Sequence, residues 1–135
     1  MTEALNDFRA QGIRLLAIGG WSFTVGLLLM ALESNLPAAW DALPISIIIN
    51  LLPTHHARQR RHDVSARLVG AIMIIIQPAL FAYALTGHAW QMDTHLFFLV
   101  ALAGLTLLCD WKPILLGSSL AALHHVVIQW LLPAW

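Results

Sequence analysis

LFFLVALAGLTLLCDWKPILLGSSLAALHHVVIQW, residues 96–130, decides the fold. Two apolar runs flank the short polar turn DWKP at 110–113. A membrane-spanning helix needs about 20 predominantly apolar residues, and a tight turn between two of them makes antiparallel neighbours. The stretch therefore predicts paired membrane helices over residues 95–111 and 113–133. Further apolar stretches at 14–32, 38–53 and 67–86 complete the expectation: an all-α, polytopic membrane bundle of about five transmembrane helices, in a single domain over residues 1–135.

Composition agrees. Hydrophobic residues make up 59% of the chain and charged residues 10%, with a mean hydropathy of +0.76, whereas a soluble domain carries about 25% charged residues. Net charge is zero, and the placement of the basic residues reads as topology, with no nucleic-acid partner implied. The single cysteine, Cys109, excludes an intrachain disulfide and a cysteine-pair metal motif. The first apolar segment, Leu15 to Leu32, is long for a cleavable signal and reads as a retained anchor. Spans two and four are short and take in Asp41, Asn50, His95 and Asp110 at their margins. Pro44 and Pro78 predict bends beside Asp41 and Gln77 that would form a pocket wall.

All seven basic residues fall on one side if the spans alternate: Arg9 and Arg14 before span one, Arg58, Arg60, Arg61 and Arg67 between spans two and three, and Lys112 between four and five. Positive charge marks the cytoplasmic side. The N-terminus and the HHARQRRH segment (55–62) are thus expected inside, and TGHAWQMDT (86–94) and the C-terminus outside. Trp40, Trp90, Trp130 and Trp135 then form an outer aromatic belt with Trp111 at the inner face, while Trp21 lies within span one. An odd number of spans leaves the C-terminus outside, so the chain reads either as a complete small membrane protein or as the front part of a longer one.

Seven histidines form three groups. His55, His56 and His62 read as part of a solvated, headgroup-facing basic loop. His88 and His95 flank Asp93 in the outer motif, and His124 and His125 sit in the last apolar run. An ionisable side chain at membrane depth points to function. Measured from the DWKP turn at about 1.5 Å per residue, His95 stands about 22 Å up span four and the pair about 17–18 Å up span five, so the two groups can face one site. Successive helix residues point about 100° apart, so one histidine of the pair is expected at that site and the other at a carbonyl, Asp41, Asn50 or a second subunit. Gly117, Ser118, Ser119, Ala121 and Ala122 oppose Ala101, Ala103 and Gly104; small residues permit close packing and could also leave a slot for a flat macrocycle.

Haem requires axial ligands and an apolar pocket. His95 or His88 with His124 or His125 could ligate, Phe97, Phe98 and Trp130 could wall the pocket, Trp90, Gln91 and Thr94 could meet the propionates, and Asp93 could orient an imidazole. Copper or another metal, a quinone, a proton relay and interhelical hydrogen bonding remain alternatives on spacing alone.

The segments NLLPTHHARQRRHD, GHAWQMDTHLFF, CDWKP and LHHVVIQWLLP, in this order, resemble the membrane-embedded N-terminal sensor region of bacterial methyl-accepting chemotaxis proteins and diguanylate cyclases. The resemblance covers roughly residues 50–133 and rests on Trp90, Gln91, Asp93 and His95, on Cys109, Asp110 and Trp111, and on His124, His125 and Pro133. Phe97 stands where tyrosine is expected, Lys112 where arginine is, and Gln129 and Trp130 where asparagine and phenylalanine are. It implies a multi-pass protein of the bacterial inner membrane, not an enzyme, that binds haem b and relays its state. The implied partners are the lipid bilayer, a second copy in a homodimer, and cytoplasmic signalling domains in cis or in trans. A haem- or quinone-dependent electron-transfer protein and a copper sensor are the alternatives. Larger members of the family continue into another span and an output domain, so the resemblance makes Trp135 an interruption point.

Overall fold

The computed structural model describes residues 2–33 and 36–131. Pro133 and Trp135, invoked above, lie outside them. Five α-helices run in sequence: α1 (Thr2–Glu33), α2 (Pro37–Arg58), α3 (Val64–Ala84), α4 (Leu96–Leu105) and α5 (Trp111–Leu131). No strand occurs among the described residues. Three segments are long and apolar enough to cross a membrane, Thr2–Glu33, Val64–Ala84 and Ala89–Leu108, and α2 and α5 have 22 and 21 residues.

Helix α1 begins twelve residues before the expected span at 14. Its buried residues Ala10, Ile13, Ala17, Gly20, Thr24, Leu27 and Ala31 recur every three or four positions, so one stripe faces the bundle along its whole length. The polar first turns carry no hydropathy signal, yet they hold good helix formers. Helix α2 starts with Pro37 in its first turn, where a missing N–H costs nothing. It continues through Pro44 and Pro53, and α3 continues through Pro78. Asp41 is exposed and Gln77 wholly buried, and neither lines the three cavities at the α1–α2 face and around His88 and His95, where a pocket wall was expected of them.

The HHARQRRH segment also differs from a solvated loop. Its first four residues belong to α2, and His56 is only 4% exposed. The chain reverses at Arg60, in the left-handed region with φ 52°, and Asp63 caps α3 by accepting from the Ala66 N–H. Asp63 also takes two hydrogen bonds from Arg61, 2.8 and 2.7 Å, and Arg61 Nη1 lies 3.1 Å from His56 Nε2. Arginine only donates, so Nε2 is the acceptor and His56 is neutral.

These contacts set two acid limits. The Arg61 hydrogen bond, followed by the Ser65 hydroxyl, holds the Asp63 carboxyl well below its ordinary 3.8. Burial, then the Arg61 charge, pushes His56 below its ordinary 6.5 against the opposing pull of Asp63. A histidine kept neutral by folding contributes stability in full above 6.5 that is lost as pH falls through its lowered folded value, because the unfolded chain binds the proton first. Asp63 contributes above 3.8 and its share fades only below that. Between pH values of about 7 and 5, the melting temperature in detergent is expected to drop less for His56→Gln than for the wild type. Equal drops would remove His56 from the account.

Two apolar clusters hold the bundle. One joins Ile13 and Leu16 of α1 to Met73, Ile74 and Ile75 of α3, Phe98 and Leu105 of α4 and Ala121 of α5; the other joins Leu27 and Ala31 of α1 to Ala39 and Ala42 of α2 and Ala84 of α3. Helices α4 and α5 touch as the tight turn predicts, but α5 packs more extensively on α3. Gly117 explains the approach: a Cβ there would lie 2.5 Å from Leu105 Cδ1 and 3.2 Å from Ile75 Cγ1. The small residues therefore serve close packing. Ser118, Ser119 and Ala122 are exposed, so Gly117 is the member of the stripe that sits in this close contact.

Candidate functional site

The chain leaves α3 through Gly87, whose φ of +77° suits glycine, and enters α4 through two 3-10 turns, Ala89–Gln91 and Asp93–His95. His88 caps the first by accepting the Trp90 N–H at Nδ1, 3.2 Å away. The second delivers His95 immediately before α4, where its Nδ1 lies 3.2 Å from the Gln91 carbonyl. On α5, His125 Nδ1 lies 2.7 Å from the Ala121 carbonyl of its own helix. A carbonyl can only accept, so Nδ1 donates in both rings, and in the neutral tautomer this selects, Nε2 is the nitrogen with the lone pair. His124 is half-buried, and its Nε2 is buried with no hydrogen-bond partner.

The three rings converge. Centroids are 5.3 Å apart for His95 and His125, 6.5 Å for His95 and His124, and 5.5 Å for His124 and His125. The side chain of Phe98 stands 5.0 Å from His124 and 5.2 Å from His125. Both members of the pair thus reach α4, in place of the single one expected. Their Cβ directions diverge, but both rings turn toward Phe98, and the three centroids form a nearly equilateral triangle with sides of 5.0, 5.2 and 5.5 Å.

A cavity of about 310 Å³ opens beside His95 and His124, with Ala82, His88, Gln91 and Met92 among its walls. His88 also lines a second, largely apolar cavity of about 370 Å³ with Phe81, Trp90, Asp93, Thr94 and Phe97. Asp93 therefore faces that second cavity, and among the described residues it makes no hydrogen bond to an imidazole; backbone carbonyls do the orienting. Phe97 belongs to an edge-to-face aromatic group with Phe23 and Phe81, centroids 5.5 and 6.0 Å away. Trp130 is 79% exposed and walls nothing described here, and Trp90 is 67% exposed with its ring against His88. Among the described residues, no three His, Cys, Asp or Glu side chains converge on one point as ligands of a bare metal ion.

Sequence reasoning passed over a buried polar chain deeper in the bundle. Asn50 Nδ2 donates to Thr24 Oγ1 at 2.8 Å, Thr24 and Ser46 hydroxyls are 2.6 Å apart, and Ser46 donates to Gln77 Oε1 at 2.9 Å. Its signal was the spacing of Ser46, Asn50 and Thr54, four residues apart and so on one helix face. No family model, curated protein or solved structure matches the chain.

Proposed function

We propose that the chain is a membrane-embedded sensor module of five spans, its N-terminus cytoplasmic, that binds haem b and passes the state of the haem to signalling domains in cis or in trans. The observation that carries this reading is the convergence of His95, His124 and His125, three imidazoles within 6.5 Å of one another around Phe98, with the Nε2 of His124 buried and unpartnered. The donor set suits the group. His95 and His124 line one cavity with ring centroids 6.5 Å apart, and their imidazoles would hold the iron there.

His95 and His124 take the ligand roles, and His125 packs against both, its ring centroid 5.3 Å from His95 and 5.5 Å from His124. The Gln91 carbonyl holds the His95 ring by its Nδ1 proton, as the partners of metal-bound histidines commonly do. The Trp90 indole and the Gln91 amide supply donors for propionates at a rim without lysine or arginine. When bound, haem iron contributes redox change or gas ligation, and the protein's share is to hold the imidazoles and exclude water. Signalling requires that the bound state favour one of two helix packings, and α4, ten residues between 3-10 turns, is the element able to shift. A homodimer in the bacterial inner membrane is part of this reading.

Spectra of the purified protein, oxidised and reduced, test it. A Soret band is expected, lost at least tenfold in His95→Ala and in His124→Ala and altered in position but retained in His125→Ala. A colourless preparation from haem-replete cells that also fails to take up added haem sinks the proposal.

A further inference from the structure

At the opposite, basic end of the bundle, α1 and α2 enclose a groove of about 510 Å³. Three arginines line it, Arg14 on α1, Arg58 at the end of α2 and Arg60 in the turn beyond. The other arginines are committed elsewhere: Arg9 to the carbonyls of Leu108 and Cys109, Arg61 to Asp63, and Arg67 to Asp110. Arg14 and Arg58, by contrast, have no hydrogen-bond or ion-pair partner among the described residues, and Arg60 has only a loose contact with Asp7 at 3.7 Å, both side chains being about as exposed, 73% and 70%. The two uncommitted guanidinium groups of the protein thus meet at one cavity, and no acidic residue lines it.

The groove also changes character along its length. Its arginine end lies where α1 is polar, before Leu15, and its other end lies along Ala17, Ile18 and Trp21, inside the apolar run. A hydrogen bond from Trp21 Nε1 to Thr54 Oγ1, 2.9 Å, ties the two helices across the groove and presents the indole as part of its wall. A small inorganic anion would use only the arginine end. A molecule with a phosphate group and a hydrocarbon tail uses both, with the phosphate in bidentate reach of the guanidinium groups and the tail against Ile18 and Trp21.

We infer that the α1–α2 groove is a binding site for the phosphate headgroup of an anionic phospholipid. It rests on the membrane reading of the chain and is independent of haem. The test is native mass spectrometry of the full chain released from bilayers of equal phosphatidylglycerol and phosphatidylcholine. Wild type is expected to retain phosphatidylglycerol selectively. Retention falls roughly fivefold for each of Arg14→Gln and Arg58→Gln, about 1 kcal/mol per basic residue at a membrane surface, and roughly 25-fold in the double variant. Both arginines are exposed and unpaired, so an unchanged thermal melt is expected to confirm that the variants fold. Lys112→Gln, also at the basic end but outside the groove, is expected to retain lipid as wild type does. The inference is overturned if the double variant keeps its lipid, if Lys112→Gln loses as much, if phosphatidylcholine is retained equally, or if excess inorganic phosphate displaces the lipid and so identifies a soluble-anion site.

Discussion

Replacing Arg67 with methionine, or Asp110 with asparagine, is expected to destabilise the bundle by about 3–5 kcal/mol, the cost of leaving one charge of a buried pair uncompensated. Arg67 Nη2 lies 2.8 Å from Asp110 Oδ2, and the side chains are 7% and 9% exposed. Arg67 also donates through Nε to the same carboxylate at 3.1 Å and through Nη1 to the His62 carbonyl, while Asp110 Oδ1 accepts the Lys112 N–H at 3.1 Å. The pair therefore joins the start of α3, the reversal before it and the turn into α5. Removing both charges together is a different matter, because well-packed apolar replacements of a buried pair are often neutral. Arg67→Met with Asp110→Leu should recover most of the loss, short of about 1 kcal/mol for the cap on Lys112. Denaturant unfolding in detergent of Arg67→Met, Asp110→Leu and their double closes the cycle and gives the coupling energy. Single losses under about 1 kcal/mol, the range of solvent-exposed pairs, would sink the claim that this bridge is buried and structural.

That pair shows where sequence reading stops. Arg67 and Asp110 were legible as charges near a membrane boundary, and hydropathy located the apolar part of every helix. Their pairing joins residues 43 positions apart, and no periodicity carries that information. The same holds for the helix ends: α1 before residue 14 and α2 beyond residue 53 are helical through polar sequence, to which a hydropathy profile is blind. His56 is buried, and Arg61 folds back onto its Nε2 after the Arg60 reversal. At the candidate site, rise per residue sufficed to bring His95 level with His124 and His125. The Gln91 carbonyl that orients His95 depends on the 3-10 turns leading into α4, which an apolar window cannot distinguish from continuous helix, while the Ala121 carbonyl that orients His125 lies one turn back on α5. Asp93 was assigned to an imidazole on proximity in sequence, and those same turns aim it into the neighbouring cavity.

Gly20→Ala is expected to cost about 2–6 kcal/mol, combining overpacking at about 1–3 with a buried polar group stripped of partners at about 1–3. A Cβ at Gly20 would lie 2.2 Å from Asn50 Oδ1 and 2.5 Å from Met73 Sδ. The methionine can move, being flexible, but Asn50 cannot, since its amide nitrogen is held by Thr24 Oγ1 and the Ser46 carbonyl. The hydroxyls set a direction along the chain: with the Ser46 proton given to Gln77, Thr24 gives its own to Ser46, and Asn50 begins the run. All four side chains lie at most 5% exposed, so a bond broken among them leaves a buried polar atom short of a partner. Displacing Asn50 therefore removes the donor to Thr24 Oγ1, which keeps its contacts with Ser46 and the Gly20 carbonyl. The effect is testable by its non-additivity. In an Asn50→Ala background the clash is gone, and the further cost of Gly20→Ala should fall below about 1 kcal/mol, a coupling expected only for residues in contact. Gly104→Ala is the matched control, its nearest neighbour being the flexible Leu16 Cδ2 at 3.3 Å, with a loss within about 1 kcal/mol expected of a helix glycine that gains in propensity what it loses in packing. Additive losses for Gly20 and Asn50, or equal losses at Gly20 and Gly104, would show that the polar chain does not set the spacing of α1 and α2.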